Sequence, residues 1–212
     1  MKRGIFLGFA AIATSVLVGC TSMSTYRGDP TKQFVRDYRA ITDEGYKIPS
    51  VPLSKLDSKY YRQIVDYETK LRPGTIVVDV AERFLYLVEP NGKAVRYGIG
   101  VGRQGFAWSG VASIGWKAEW PTWTPPPQMI KRQPSLKKYA SGMEPGLDNP
   151  LGARALYLMK NGKDTLYRLH GTPDWSSIGK AVSSGCIRLI NQDIIDLYER
   201  VRPGARVVVR QG

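Results

Sequence analysis

Thr75-Ile-Val-Val-Asp79, Phe84-Leu-Tyr-Leu-Val88 and Ala94-Val-Arg-Tyr-Gly-Ile99 follow one another closely and decide the fold class. Their β-branched and aromatic side chains suit a pleated, half-buried surface, so each run reads as a strand. Asn91-Gly92 separates the second run from the third, and Asn161-Gly162 separates Ala153 to Met159 from Thr165 to Leu169. Both residues of such a pair tolerate positive φ, which a two-residue hairpin turn demands. Two short hairpins imply an antiparallel or mixed sheet. Further on, Asn191 is placed to cap a helix running to Glu199 or Val201, with Ile194, Ile195, Tyr198 and Val201 on one face. Pro203-Gly204 stops that helix, and a strand over Ala205 to Arg210 follows; no internal repeat stands out.

Working back toward the N-terminus, residues 47–73 read as an extended or helical flank packed on the domain. Leu56, Tyr60, Tyr61, Ile64 and Val65 roughly fit one helical face. Residues 20–46 are polar, with a turn signal at Gly28-Asp29-Pro30, and read as a tether with at most one short helix. Before them, Lys2-Arg3 precedes an apolar, small-residue run over residues 4–19, the pattern of an export signal. The run is shorter than the roughly 20 residues of a spanning helix. Its close, Leu17-Val18-Gly19-Cys20, resembles a bacterial lipobox, which implies cleavage before Cys20 and acylation of its sulfur. More than one acyl chain anchors a protein stably. The mature chain would then sit at the periplasmic face of the cell envelope, with the outer membrane favoured by Thr21 over an acidic residue.

Composition narrows the classes further. With 212 residues, 42% hydrophobic and 23% charged, the chain can bury a sizeable core, which excludes disorder, collagen and coiled coil. One His and two Cys are too few for an ordinary structural zinc site, and neither a metal nor a cofactor is expected. The net charge of +13 suits acidic peptides and an anionic membrane surface. Lys and Arg are dispersed, and export removes nucleic acid as a partner.

Residues 116–151 hold seven prolines, Trp120, Trp123 and the run Pro125-Pro126-Pro127. Loops of that length on a sheet often form lids, and exposed indoles suit sugar or peptide surfaces. The competing reading is that both tryptophans pack the loop on the sheet.

The chemistry concentrates at His170-Gly171-Thr172 and, 16 positions after His170, at Cys186 within Ser183-Ser-Gly-Cys-Ile-Arg-Leu189. A thiol becomes a competent nucleophile once an imidazole within reach takes its proton, and the same imidazole can return that proton to a leaving amine. Gly185 lets the backbone pass tightly beneath a substrate carbonyl, so the amides of Ser184, Gly185 and Cys186 are natural oxyanion donors. Arg188 offers a planar fork to a substrate carboxylate. Against this stand an inert buried thiol and a Cys20–Cys186 disulfide, the latter consuming the lipobox residue. Serine-based acyl transfer is disfavoured, because Ser135-x-x-Lys138 and Ser177-x-x-Lys180 occur without any Lys-Thr-Gly.

His170-Gly-Thr, the 16-residue step and Ser183-Ser-Gly-Cys-Ile-Arg-Leu189 together resemble the signature of the L,D-transpeptidases, the YkuD-type catalytic domain. Gly98-Ile-Gly-Val-Gly102, Trp120-Pro-Thr-Trp-Thr-Pro-Pro126 and Asn149-Pro-Leu-Gly152 resemble that family in the same order, so residues 74–211 are expected to be the catalytic domain. Ser184 departs from the His or Arg that many members carry. The resemblance implies a mainly β fold, a mixed β-sandwich with a few short helices. It implies a reaction in which Cys186 attacks the L-centre carbonyl of a peptidoglycan stem tetrapeptide, releases D-alanine and passes the acyl group from a thioester to an amine. The amine would come from a second stem or an envelope protein. It also implies that a backbone carbonyl of Gly171 or Ser183 orients His170; Arg188, Trp120 and Trp123 are the substrate contacts expected from the residues themselves. The alternatives are an L,D-carboxypeptidase using water at the same site and a non-catalytic murein-binding lipoprotein.

Overall fold

A computed structural model describes residues 34–102, 109–183 and 186–211 of the chain. A 3₁₀ turn over Val35–Tyr38 leads into a small hairpin of β1 (Ile41–Asp43) and β2 (Tyr46–Ile48), and an edge strand β3 (Gln63–Asp66) follows. Next come β4 (Ile76–Asp79), β5 (Phe84–Glu89), β6 (Lys93–Gly98), the short β7 (Val101–Gly102) and the long β8 (Gly110–Glu119). A short helix α1 (Pro127–Arg132) precedes β9 (Arg154–Lys160) and β10 (Lys163–Thr172). The description ends with β11 (Ala181–Ser183), β12 (Ile187–Ile190), helix α2 (Asn191–Arg200) and β13 (Arg206–Arg210).

Nine strands form one mixed sheet in the order β12-β10-β9-β8-β13-β4-β5-β6-β3. Ile76, Val77 and Val78 are all buried, as befits a strand with apolar neighbours on both faces, and β4 lies between a parallel β13 and an antiparallel β5. The hairpin turns take positive φ at Asn91 (60°), Gly92 (66°), Asn161 (50°) and Gly162 (72°), as the Asn-Gly pairs require. The sheet folds over until its ends meet. Gly100, just past β6, exchanges two backbone hydrogen bonds of 2.9 Å with Arg188 on β12. The result is a mixed β-sandwich whose core includes Ile76, Leu85, Ile114, Leu158 and Leu169, closed by Ile194 and Leu197 of α2. Each such side chain contributes about 1.5–3 kcal/mol by leaving water.

The segment before β4 differs from the sequence-based expectation. Residues 34–46, assigned to the tether, pack on the domain: Tyr38 is buried, and a turn at Glu44-Gly45 (φ 47° and 84°) closes the first hairpin. Residues 47–73 form no α-helix. The alternately half-buried and exposed Gln63–Asp66, which hold two of the residues of the expected helical face, pair with β6 as an edge strand instead. The loop expected from Trp116 begins after Glu119, because β8 runs on and Trp116 stacks on Tyr157 of β9 with ring centroids 4.3 Å apart. Asn191 does not cap α2. It is the first helical residue, and its Oδ1 accepts a 3.0 Å hydrogen bond from the backbone N–H of Ala153.

The flank is fastened by a buried charged cluster. Arg62, 2% exposed, meets Asp37, Asp196 at 3.0 Å and, more distantly, Asp193 at 3.9 Å. The Tyr38 hydroxyl donates to Asp193 at 3.1 Å and accepts from the Arg62 backbone N–H at 2.6 Å. Tyr97 donates to Asp196 at 2.6 Å. One guanidinium faces three carboxylates, and burial pushes Asp193, the deepest of them, up to about 7 against the opposing pull of Arg62 and Tyr38.

Candidate active site

Strands β10 and β12 run parallel, with His170 opposite Arg188 and Leu169 opposite Ile187. Cys186 directly precedes Ile187 and so stands level with Arg168, whose backbone N–H reaches its sulfur. In a strand every second side chain shares a face, so Cys186, Arg188 and His170 emerge on the same side. Neighbouring strands about 4.8 Å apart and a two-residue step along them put the Cα atoms of Cys186 and His170 roughly 8 Å apart. Both side chains line one cavity of about 360 Å³. Sixteen residues of sequence separation are thus spanned by the crossover from β10 through β11 to the adjacent parallel strand.

The imidazole is held in one tautomer. Its Nδ1 lies 2.6 Å from the carbonyl oxygen of Gly171, which can only accept, so Nδ1 carries the proton and Nε2 keeps its lone pair. Of the two carbonyls weighed from sequence, Gly171 makes this contact. Burial drives the His170 pKa down to about 4, with Arg188 and Arg168 adding to the fall and the Gly171 hydrogen bond resisting it. Burial also pushes the Cys186 thiol up, opposed by the Arg168 amide and the charges of Arg168 and Arg188. Both effects favour a neutral thiol beside a neutral imidazole at rest, rather than a standing thiolate–imidazolium pair.

Gly171 has no room for a side chain. A Cβ there would lie 2.3 Å from Asn191 Oδ1 and 3.0 Å from Ile194, so the first turn of α2 seats directly against the backbone that orients His170. Arg188 is half-buried beside the thiol, its backbone fixed by β10 on one side and by Gly100 on the other.

The long loop roofs the cavity with Trp123, Pro126, Met129, Leu136 and Leu151. A two-way backbone bridge between Trp123 and Met143 (3.0 and 2.7 Å) and the fully buried Asn149, whose amide donates to Pro121 O and Glu144 O, pin the roof down. The two tryptophans part company. Trp123 lines the cavity, whereas Trp120 is buried, stacks on Tyr46 at 3.9 Å and donates from Nε1 to Asp43 at 2.7 Å. The expectation that Trp120 meets substrate is corrected accordingly: the β1–β2 hairpin covers it.

Sequence reasoning did not single out Asn149 as the loop's fastener or Leu166 at the cavity rim. Leu166 is 73% exposed in left-handed conformation (φ 63°), held by Asp164 Oδ1 accepting from its N–H at 2.8 Å. Its only signal was an apolar residue next to a hairpin turn. Ser183 ends β11, which pairs with β7. Cys20, Ser184 and Gly185 lie outside the described residues. Among the described residues no three His, Cys, Asp or Glu side chains converge as a metal site would need.

Residues 73–209 match the model of the YkuD family, described as the L,D-transpeptidase catalytic domain. Among curated proteins, the chain is 40% identical over 143 residues to the probable L,D-transpeptidase ErfK/SrfK of Escherichia coli, covering 63% of this chain and 43% of that one. It is 39% identical over 137 residues to the probable L,D-transpeptidase YcfS of the same organism, covering 62% and 42%. The alignments thus span less than half the length of these relatives. A crystal structure of a Brucella melitensis protein described as a probable carnitine operon oxidoreductase caia is 48% identical, with a TM-score of 0.52 over 75% of this chain and 99% of that one. That protein's oxidoreductase name differs from the descriptions of the family and the curated relatives.

Proposed function

The chain belongs to the L,D-transpeptidase catalytic domain family, and from that membership we propose that it is a peptidoglycan L,D-transpeptidase with Cys186 as nucleophile and His170 as general base and acid. The observation that carries this reading is the 2.6 Å contact that fixes the imidazole tautomer in the cavity that also holds the thiol.

In the proposed cycle His170 Nε2 takes the thiol proton as Cys186 sulfur bonds to the L-centre carbonyl carbon of a stem tetrapeptide. The carbonyl oxygen becomes an oxyanion, assigned to the backbone amides of Ser184, Gly185 and Cys186, whose stabilisation is usually a large contribution in acyl transfer. The bond to the D-alanine nitrogen breaks, that nitrogen receives the proton from His170, and a thioester remains. An acceptor amine attacks the thioester, gives its proton to His170, and the thiol is restored as the new amide forms. A neutral imidazole is the required starting form, and its low pKa keeps it so over the whole neutral range. Arg188 beside the thiol is assigned to a stem carboxylate, and Trp123 to the apolar flank of the stem.

Cys20 is assigned to lipid attachment, which would hold the domain at the periplasmic face of the envelope, with the outer membrane preferred. The acceptor is a second stem or an amine of an envelope protein. Sacculi from cells carrying the wild-type or the Cys186→Ala chain, digested and analysed by mass spectrometry, test the reading. Loss of direct diaminoacid crosslinks, or of protein-linked muropeptides, in the variant supports it. Loss of tripeptides alone would instead assign water as the acceptor, and identical profiles would sink any catalytic role.

A further inference from the structure

Arg72-Pro-Gly-Thr-Ile-Val-Val78 and Arg202-Pro-Gly-Ala-Arg-Val-Val208 agree at five of seven positions, 130 residues apart, a likeness too short to mark an internal repeat. The structure sets them side by side. Each opens a strand, β4 and β13 respectively, and the two strands pair in parallel with Val207 opposite Ile76. The turns match in detail: Thr75 N–H donates to Arg72 O and Ala205 N–H to Arg202 O, both at 3.1 Å, and the glycines take φ of 84° and 87°. With adjacent strands only about 4.8 Å apart, the twin turns bring two arginines to the same end of the sheet.

Three more cations join them. Lys70, Arg72, Arg200, Arg202 and Arg206 line a cleft of about 620 Å³ that contains no carboxylate and shares no residue with the Cys186 cavity. Arg200 is engaged by Asp196 at 2.9 and 3.1 Å, while the other four make no ion pair among the described residues. Helix capping does not account for the gathering. The carbonyls of Tyr198 and Val201 at the end of α2 are taken by Lys117 Nζ, at 2.7 and 2.8 Å, from outside the cleft. Five cations lining one cleft, with no carboxylate in its lining, favour an anion there.

We propose that this cleft is a second binding site, for a phosphate-bearing anion. The cations arrive from two turns, a helix end and a strand. Converging from several directions, guanidinium forks match the tetrahedral oxygens of a phosphoryl group, whereas the two coplanar oxygens of a carboxylate satisfy one fork. The ligand is a phosphoryl group carried on a lipid headgroup or on a soluble molecule.

Full-length wild-type protein and the Arg72→Gln/Arg202→Gln variant would be titrated with inorganic phosphate and with succinate, and sedimented with vesicles of phosphatidylglycerol or of phosphatidylcholine alone. Retention on neutral vesicles subtracts whatever the apolar N-terminus contributes. Wild type is expected to bind phosphate, anionic vesicles or both, with affinity at least tenfold weaker in the variant and an unchanged melting temperature. Phosphate binding without vesicle retention assigns a soluble ligand; retention on the anionic vesicles assigns a headgroup. An Arg72→Lys/Arg202→Lys variant keeps the charge and loses the forks, and should fall between the two. Binding of neither probe, equal binding by the Gln variant, or tighter binding of succinate than of phosphate would overturn the proposal.

Discussion

Two buried clusters of ionisable groups flank the β10–β12–α2 unit, and they resolve burial in opposite ways. Around His170 and Cys186, burial drives both groups toward their neutral forms, so the imidazole keeps an open lone pair and the proton moves only as the sulfur attacks. Around Arg62, burial is met by partners: Asp37, Asp193, Asp196 and the hydroxyls of Tyr38 and Tyr97 surround a cation that never discharges. The first arrangement suits proton traffic. The second suits fastening, because a charge that cannot move ties residues 34–62 to α2. Removal from water is common to both, and what distinguishes them is whether compensating charges were brought along.

The sharpest way to break this contrast is at the imidazole. His170→Ala should slow acylation of Cys186 by a carbapenem by about 10²–10⁴-fold, the usual worth of a general base, with the folded state retained by circular dichroism. Intact-mass kinetics read the effect. An unchanged rate would remove His170 from the proton path.

Arg62→Ala should act on the other cluster alone. It strands buried carboxylates without their cation and is expected to cost about 3–5 kcal/mol, measured by urea unfolding. Acylation of the molecules still folded should be near wild type. A loss of acylation without a loss of stability would mean that the two clusters are coupled.

The pH dependence of stability separates the clusters by sign. Burial raises the Asp193 pKa to about 7, so the folded state binds more protons than the unfolded one between about pH 4 and 7, and this contribution is lost as pH rises through that window. His170 does the reverse. Its folded pKa is about 4 against about 6.5 unfolded, so its contribution is present above pH 6.5 and lost as pH falls toward 4. In the wild type the two oppose each other. Asp193→Asn should leave stability rising with pH between 4 and 6.5, and His170→Ala should leave it falling, each by roughly 1–3 kcal/mol across the window. Parallel profiles in the two variants would contradict the assigned directions.

The smallest effect concerns the thiol. With no standing ion pair, alkylation of Cys186 by iodoacetamide should climb with pH into and beyond the ordinary thiol range. A plateau between pH 5 and 7 would reveal a preformed thiolate.

What could be read from the residues follows the reach of the forces involved. Asn91-Gly92 and Asn161-Gly162 announce their hairpins because turn chemistry is decided by adjacent residues, and His170 and Cys186 stand out as the single imidazole and the single thiol past the signal region. The short β3 was missed because four residues of mixed polarity carry too little pattern, and it becomes a strand only when β6 supplies the partner. Glu44-Gly45 did hold a local turn signal, hidden by the polarity around it. Asn191 was misread since a cap and a long-range acceptor look alike until Ala153 is in place. Trp120 has the same history, its indole being claimed by Asp43, 77 positions away. Arg62 and Asp193 could be paired by no reasoning on adjacent residues, being joined only through the folded sheet.

The backbone of Arg188 completes the sheet by reaching across to Gly100. The strand that leads on from the nucleophile is therefore also the clasp of the whole sandwich, so drift at this strand is paid in architecture before it is tried in chemistry. Divergence in what such an enzyme accepts should consequently gather in the proline-rich roof, where Asn149 and Trp120 secure a loop whose cavity-lining Met129 and Leu136 belong to no part of the core.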